Sequence, residues 1–203
     1  MLWGRKILML STLLIVASRL IGQGVDIPLG NFSQVLDQLV LENHDGSKVA
    51  LAAYKEKELT VMIFLAHDCP ICQKYGDKFR QLSAHGAQLQ VIGIAPADGA
   101  TKELIGSYAA TFGFEFPILI DEKKVLAHVL KGKVTPEVFL FNNRGDLLYR
   151  GKIDNWFYEL GKYRQVVTEH YLDNAIKAAL AGEIVSPNKT EPVGCLLNMG
   201  MQH

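Results

Sequence analysis

Apolar residues change their spacing several times along the chain, and each change marks an element. Thr60-Val61-Met62-Ile63-Phe64-Leu65 is a continuous run rich in branched and aromatic side chains, which predicts a central strand covered on both faces. Beyond Cys69-Pro70-Ile71-Cys72, the residues Ile71, Tyr75, Phe79 and Leu82 recur at helical spacing, one stripe of a helix that tolerates Pro70 in its first turn. Leu89-Gln90-Val91-Ile92-Gly93-Ile94 predicts a second strand. Thr101 then caps a helix carrying Leu104, Ile105, Tyr108 and Phe112, which Gly113 stops. Residues 117–120 form a short strand and 123–130 a short helical stretch. Residues 137–141 and 146–150 flank Asn142-Asn143-Arg144-Gly145 as an antiparallel hairpin, and Asp45-Gly46 signals an earlier hairpin within 39–51. A last helix sets Leu172, Ile176, Ala179 and Leu180 on one face and ends at Gly182. The order is hairpin, βαβα, short β and α, then ββα, which describes an α/β sandwich with a mixed central sheet.

The amino end follows a different pattern. Arg5 and Lys6 precede an uncharged stretch, residues 7–18, that Arg19 closes, and small residues stand at Gly22 and Gly24. A basic start, an apolar run too short to span a bilayer and small residues after it describe a secretory signal peptide. The chain therefore divides into a signal peptide at 1–24, a domain at 25–182 and a C-terminal tail at 183–203. The expected location is periplasmic or extracellular, with membrane attachment only if the first segment is retained. Composition narrows the classes further. The 203-residue chain has 21 basic and 21 acidic residues and is 49% hydrophobic, ample for one buried core. Without residues 1–24 it keeps 18 basic against 21 acidic residues, a net charge of −3. A chain of that balance with no basic run lacks the phosphate-neutralising surface that bulk nucleic-acid binding needs.

Export changes how the three cysteines are read, because exported thiols meet an oxidising compartment. Cys69 and Cys72 sit where a buried strand turns into a helix. Unpaired N–H groups at the helix start favour a thiolate on Cys69, and the short separation lets Cys72 close a disulfide with it. Attack by Cys69 followed by resolution by Cys72 is the chemistry of disulfide exchange. It requires no cofactor. A zinc site would need two further ligands at suitable spacing, and the sequence has no second Cys-x-x-Cys or His-x-x-x-His, so no metal is assigned. His44, His85, His128 and His170 are scattered along the chain.

The strand, the Cys-Pro-Ile-Cys motif at the start of the next helix, and Val134-Thr135-Pro136 before a strand-turn-strand unit resemble the thioredoxin superfamily across roughly residues 35–182. The signal segment and the N-terminal hairpin are most similar to its exported redoxin (AhpC/TSA-like) or TlpA/ResA-like branch. The resemblance implies a thioredoxin-like sandwich, a cis bond before Pro136 beside the dithiol, and a Thr135 backbone offered to an extended substrate. Implied partners are protein thiols or disulfides and a redox donor or acceptor that the sequence does not name. Two positions depart from the family. His67-Asp68 stands where a Trp often precedes the first cysteine, and Ile63 replaces the buried Asp that thioredoxins use as proton acceptor.

Cys195, in Glu191-Pro192-Val193-Gly194-Cys195, is either a packed or intermolecular tail thiol or, on a tail folded back over the dithiol, an auxiliary redox thiol or a metal ligand. The aromatic-rich stretch 153–165 is longer than a minimal thioredoxin allows, and caps the core or forms a partner-binding rim. The tail's Met199, Met201 and His203 are soft and intermediate ligands, which keeps a copper-binding, chaperone-like redoxin as the alternative function. A peroxiredoxin-type peroxide reductase is a third, disfavoured because Ala66 occupies the place of the Thr or Ser that precedes such an enzyme's reactive cysteine by three residues.

Overall fold

A computed structural model describes residues 32–96 and 99–199. The signal segment and the end of the tail, with Met201 and His203, lie outside the described residues. In chain order the elements are α1 (Phe32–Gln38), β1 (Val40–Asn43), β2 (Lys48–Ala50), β3 (Leu59–Phe64), α2 (Pro70–Lys74), α3 (Gly76–Leu82) and β4 (Leu89–Ala95). There follow α4 (Lys102–Phe112), β5 (Ile118–Ile120), α5 (Val125–Val129), β6 (Val134–Thr135), β7 (Glu137–Asn142) and β8 (Leu147–Gly151). Two short strands, β9 (Phe157–Glu159) and β10 (Lys162–Tyr163), then α6 (Tyr171–Leu180) and β11 (Cys195–Leu196) are the last elements among the described residues.

Seven strands form one sheet in the order β2-β1-β5-β4-β3-β7-β8. Strands β3, β4 and β5 run parallel, while β1, β2, β7 and β8 pair antiparallel with their neighbours. The continuous apolar runs at the centre are explained by burial on both sides. Val61 and Ile63 of β3 and Val138 and Leu140 of β7 enter a core under α3, α4 and α6. Met62, Phe64, Phe139 and Phe141 enter a second core under α1 and α5. Strand alternation thus feeds two apolar layers, the mixed-sheet sandwich expected from the element order and the thioredoxin-like one that the resemblance implied. Among the described residues no helix is long and apolar enough to cross a membrane.

The helix ends follow their sequence signals where the contacts are local. Thr101 caps α4 by accepting a hydrogen bond from the Leu104 N–H, and Gly113 closes it in the left-handed region. One expectation changes. The single stripe from Ile71 to Leu82 is divided into α2 and α3 at Tyr75, whose ψ is 0°. The apolar face stays continuous across the break, but a Cβ at the next residue, Gly76, would run into the Phe112 ring of α4. The close approach of α4 therefore requires glycine there.

Candidate functional site

The site lies where β3 ends against β6 and β7. After Phe64 the chain turns through residues 65–68, and Cys69 sits at the N-cap of α2 with an extended backbone; its side chain caps no helical N–H. Cys69 is 2% exposed and Cys72 is fully buried. Opposite them, the Thr135–Pro136 bond is cis, as the resemblance implied. Thr135, 1% exposed, faces both sulfurs: its carbonyl oxygen is 3.1 Å from Cys69 Sγ, and its side chain hydrogen-bonds Cys72. The Cys-x-x-Cys motif and the Val-Thr-Pro turn, 66 residues apart between Cys69 and Thr135, thus meet in space.

The tail meets them too. Cys195 is bonded to Cys69 in a disulfide with Cα atoms 6.1 Å apart, and Cys72 is left as a free, buried thiol. Of the two readings open for Cys195, the structure has the one in which the tail folds back over the dithiol. Burial pushes the Cys72 thiol from 9.0 up to about 12, and the Asp68 charge adds to the rise; hydrogen bonds from the Ala66 backbone and the Thr135 side chain work against it. The consequence is measurable. Iodoacetamide should label Cys72 about a thousandfold more slowly than an ordinary thiol at neutral pH. The rate should go on rising about tenfold per pH unit past pH ~9, where an exposed thiol levels off. A plateau near pH ~9 would show that water reaches the sulfur.

The surroundings of the site are held by residues that sequence spacing does not single out. Glu137, directly after Pro136, is fully buried; it accepts hydrogen bonds from the Lys133 N–H at 2.8 Å and from Arg150 Nη2 at 2.6 Å. The Tyr75 hydroxyl, at the division between α2 and α3, donates to Asp154 at 2.5 Å, and Asp154 also accepts from the Trp156 N–H. Burial and the Asp154 charge raise the Tyr75 pKa, so the phenol stays protonated and remains the donor. The stretch 153–165 therefore divides. Ile153 and Phe157 join the core below Tyr75, whereas Tyr158, Leu160 and Tyr163 are exposed on the β9–β10 hairpin. Ile63 is buried in the first core, so no carboxylate reaches the dithiol from that position. Among the described residues no three His, Cys, Asp or Glu side chains are grouped to hold a metal ion, and Met199 packs against the second core.

The family profile described as AhpC/TSA matches residues 33–150. Among solved structures, a hypothetical protein from Sinorhizobium meliloti 1021 is 25% identical, with a TM-score of 0.72 over 81% of this chain and 92% of that one. An uncharacterized conserved protein from Geobacillus kaustophilus is 24% identical, with a TM-score of 0.71 over 81% of this chain and 90% of that one. A secreted Mycobacterium tuberculosis disulfide oxidoreductase homologous to E. coli DsbE shares the fold at 16% identity, with a TM-score of 0.52 over 71% and 96%. No curated protein gives a significant match. With a thioredoxin-like sandwich and a profile match over more than half of its length, the chain belongs to the AhpC/TSA family.

Proposed function

We propose that the protein is a thiol-disulfide oxidoreductase of the cell envelope, exported by the segment 1–24, in which Cys69 attacks and Cys72 resolves. The observation that carries this reading is the position of Cys69. Its sulfur is engaged in a disulfide while it faces the Thr135 carbonyl across the cis-Pro136 turn, and Cys72 stands behind it with its thiol free. In the reducing direction, the Cys69 thiolate attacks one sulfur of a protein disulfide and the client's other sulfur leaves as a thiolate. The Cys72 thiolate then attacks Cys69 Sγ and expels the second client thiol. The client disulfide gains two electrons, and the dithiol becomes a Cys69–Cys72 disulfide. Thr135 and Pro136 serve as the platform that presents the client backbone to Cys69. Ala66, buried three residues before Cys69, offers no hydroxyl to a peroxide, which favours disulfide over peroxide as substrate.

The test is a glutathione redox titration of the chain carrying Cys195→Ser, with metal content assayed in parallel. A single two-electron couple, reported by a Cys69–Cys72 disulfide, is expected. Stoichiometric copper with no disulfide exchange would overturn the reading in favour of a copper-binding redoxin.

A further inference from the structure

Cys69 is bonded outside its own motif, to a residue 126 positions away. The tail that carries this bond is seated on both sides of it. Upstream, the Thr190 N–H donates to the Arg150 carbonyl and the Arg150 N–H donates to that of Asn188, while Thr190 Oγ1 meets the Tyr149 hydroxyl at 2.6 Å. Gly151, at φ +132°, makes room for this contact, since a Cβ there would collide with the Thr190 carbonyl. Downstream, the Leu197 N–H donates to the Lys133 carbonyl, and Leu197 packs against the second core. Between the two anchors β11 adds antiparallel to β6, with Cys195 opposite Thr135 and Leu196 opposite Val134. Gly194 lies flat on the cis peptide: a Cβ there would strike the Thr135 carbonyl and stand 3.1 Å from the Pro136 nitrogen.

We propose that residues 192–197 are a built-in substrate, an extended strand laid against Val134–Thr135 whose Cys195 forms with Cys69 a disulfide that Cys72 resolves. The inference rests on the dithiol reading above and adds a third redox cysteine and a substrate geometry. Strand addition supplies backbone hydrogen bonds whatever the side chains are. The contact at Gly194 then selects for a glycine, or no more than a very small residue, immediately before the reacting cysteine. External clients of this kind compete with the strap for β6.

The internal exchange balances. Cys72 gives its proton to solvent, and its thiolate attacks Cys69 Sγ. The Cys69–Cys195 bond breaks as the Cys69–Cys72 bond forms, and the electron pair departs on Cys195, which takes up a proton. One disulfide replaces another with no net oxidation. The burial that holds the Cys72 thiol up to about 12 keeps the step slow while the strap is docked.

Trypsin leaves Cys69 and Cys72 together on peptide 58–74 and Cys195 on peptide 190–203, so the disulfides can be told apart by mass. The full chain is equilibrated in glutathione buffer, quenched with acid, alkylated and digested without reduction. Monomeric wild-type protein should yield both cross-linked 58–74/190–203 and internally oxidised 58–74. Cys72→Ser should yield only the cross-link, and Cys195→Ser only the internal disulfide. Gly194→Val should shift the wild-type ratio toward the internal form by about tenfold or more. Absence of the cross-link from wild type and Cys72→Ser, or its presence only in linked dimers, overturns the built-in substrate and leaves the dithiol reading intact. A cross-link with no Cys69–Cys72 disulfide in any variant overturns the dithiol reading itself.

Discussion

Replacing Cys69 with serine is expected to lower the rate of protein disulfide exchange by at least about a thousandfold, to the uncatalysed level. A serine hydroxyl forms no disulfide and is a poor nucleophile at neutral pH, so the variant loses both the attack and the mixed-disulfide intermediate. No neighbouring sulfur compensates. Cys72 is fully buried, and Cys195 approaches the Thr135 turn on a tail whose only disulfide partner is Cys69. Cys72→Ser should behave differently, because the first attack survives and Cys195 remains to displace the client from Cys69. The double variant Cys72→Ser/Cys195→Ser should stop at the first step and accumulate a covalent Cys69–client adduct. Single-turnover reaction of the pre-reduced protein with insulin after removal of the reductant, followed by non-reducing electrophoresis, checks all three. Undiminished exchange in Cys69→Ser would move the nucleophile elsewhere. Full turnover without an adduct in the double variant would remove both resolving roles.

How far this site is legible in the sequence depends on the range of the contacts that build it. Cys69-Pro70-Ile71-Cys72 and Val134-Thr135-Pro136 are local motifs, and each can be found by reading along the chain. The central strands are equally plain because Val61 to Phe64 are all apolar. The same uniformity hides which residue faces which core: with both sides of the sheet covered, Met62 and Ile63 obey one composition rule and part company only in space. The break at Tyr75 is hidden for another reason. The hydroxyl's partner, Asp154, is 79 residues away in a stretch without regular periodicity. Cys195 is the extreme case. Its pairing with Thr135 is a two-residue strand, too short for any alternation to announce, and only the glycine before it hints that the backbone must lie close to something. Long-range pairing of short segments, more than chemistry, is what the sequence conceals here.

Arg150→Ala should be the most damaging single change to stability outside the apolar core, costing about 3–5 kcal/mol. Glu137 is fully buried, and Arg150, with a side chain 14% exposed, supplies its countercharge at 2.6 Å. The same guanidinium donates to the Leu130 and Lys131 carbonyls at 3.0 and 3.1 Å and sits over the Phe139 ring at 4.9 Å. Truncation would leave a buried carboxylate with one backbone N–H and two carbonyls without their donor, which is far dearer than losing an exposed pair such as Lys133–Glu191. In urea the midpoint should fall by roughly 1–5 M for an m-value of about 1–3 kcal/mol/M. Arg150→Lys should recover only part, because an ammonium cannot reach the carboxylate and both carbonyls in one plane. Arg150→Met combined with Glu137→Leu should recover more than Arg150→Ala does, since it removes the stranded charge together with its partner. An Arg150→Ala protein with unchanged urea midpoint would mean that water already reaches Glu137. The pair also holds the chain from Lys131 to Glu137, which carries Thr135 and Pro136, so in glutathione buffer, whose thiol displaces Cys195 from Cys69 once the strap opens, the destabilised variant should lose the Cys69–Cys195 cross-link at lower urea than it loses helical signal. Stability and reactivity meet at that turn: the buried charge pair that keeps the fold closed also keeps the strand against which Cys195 lies.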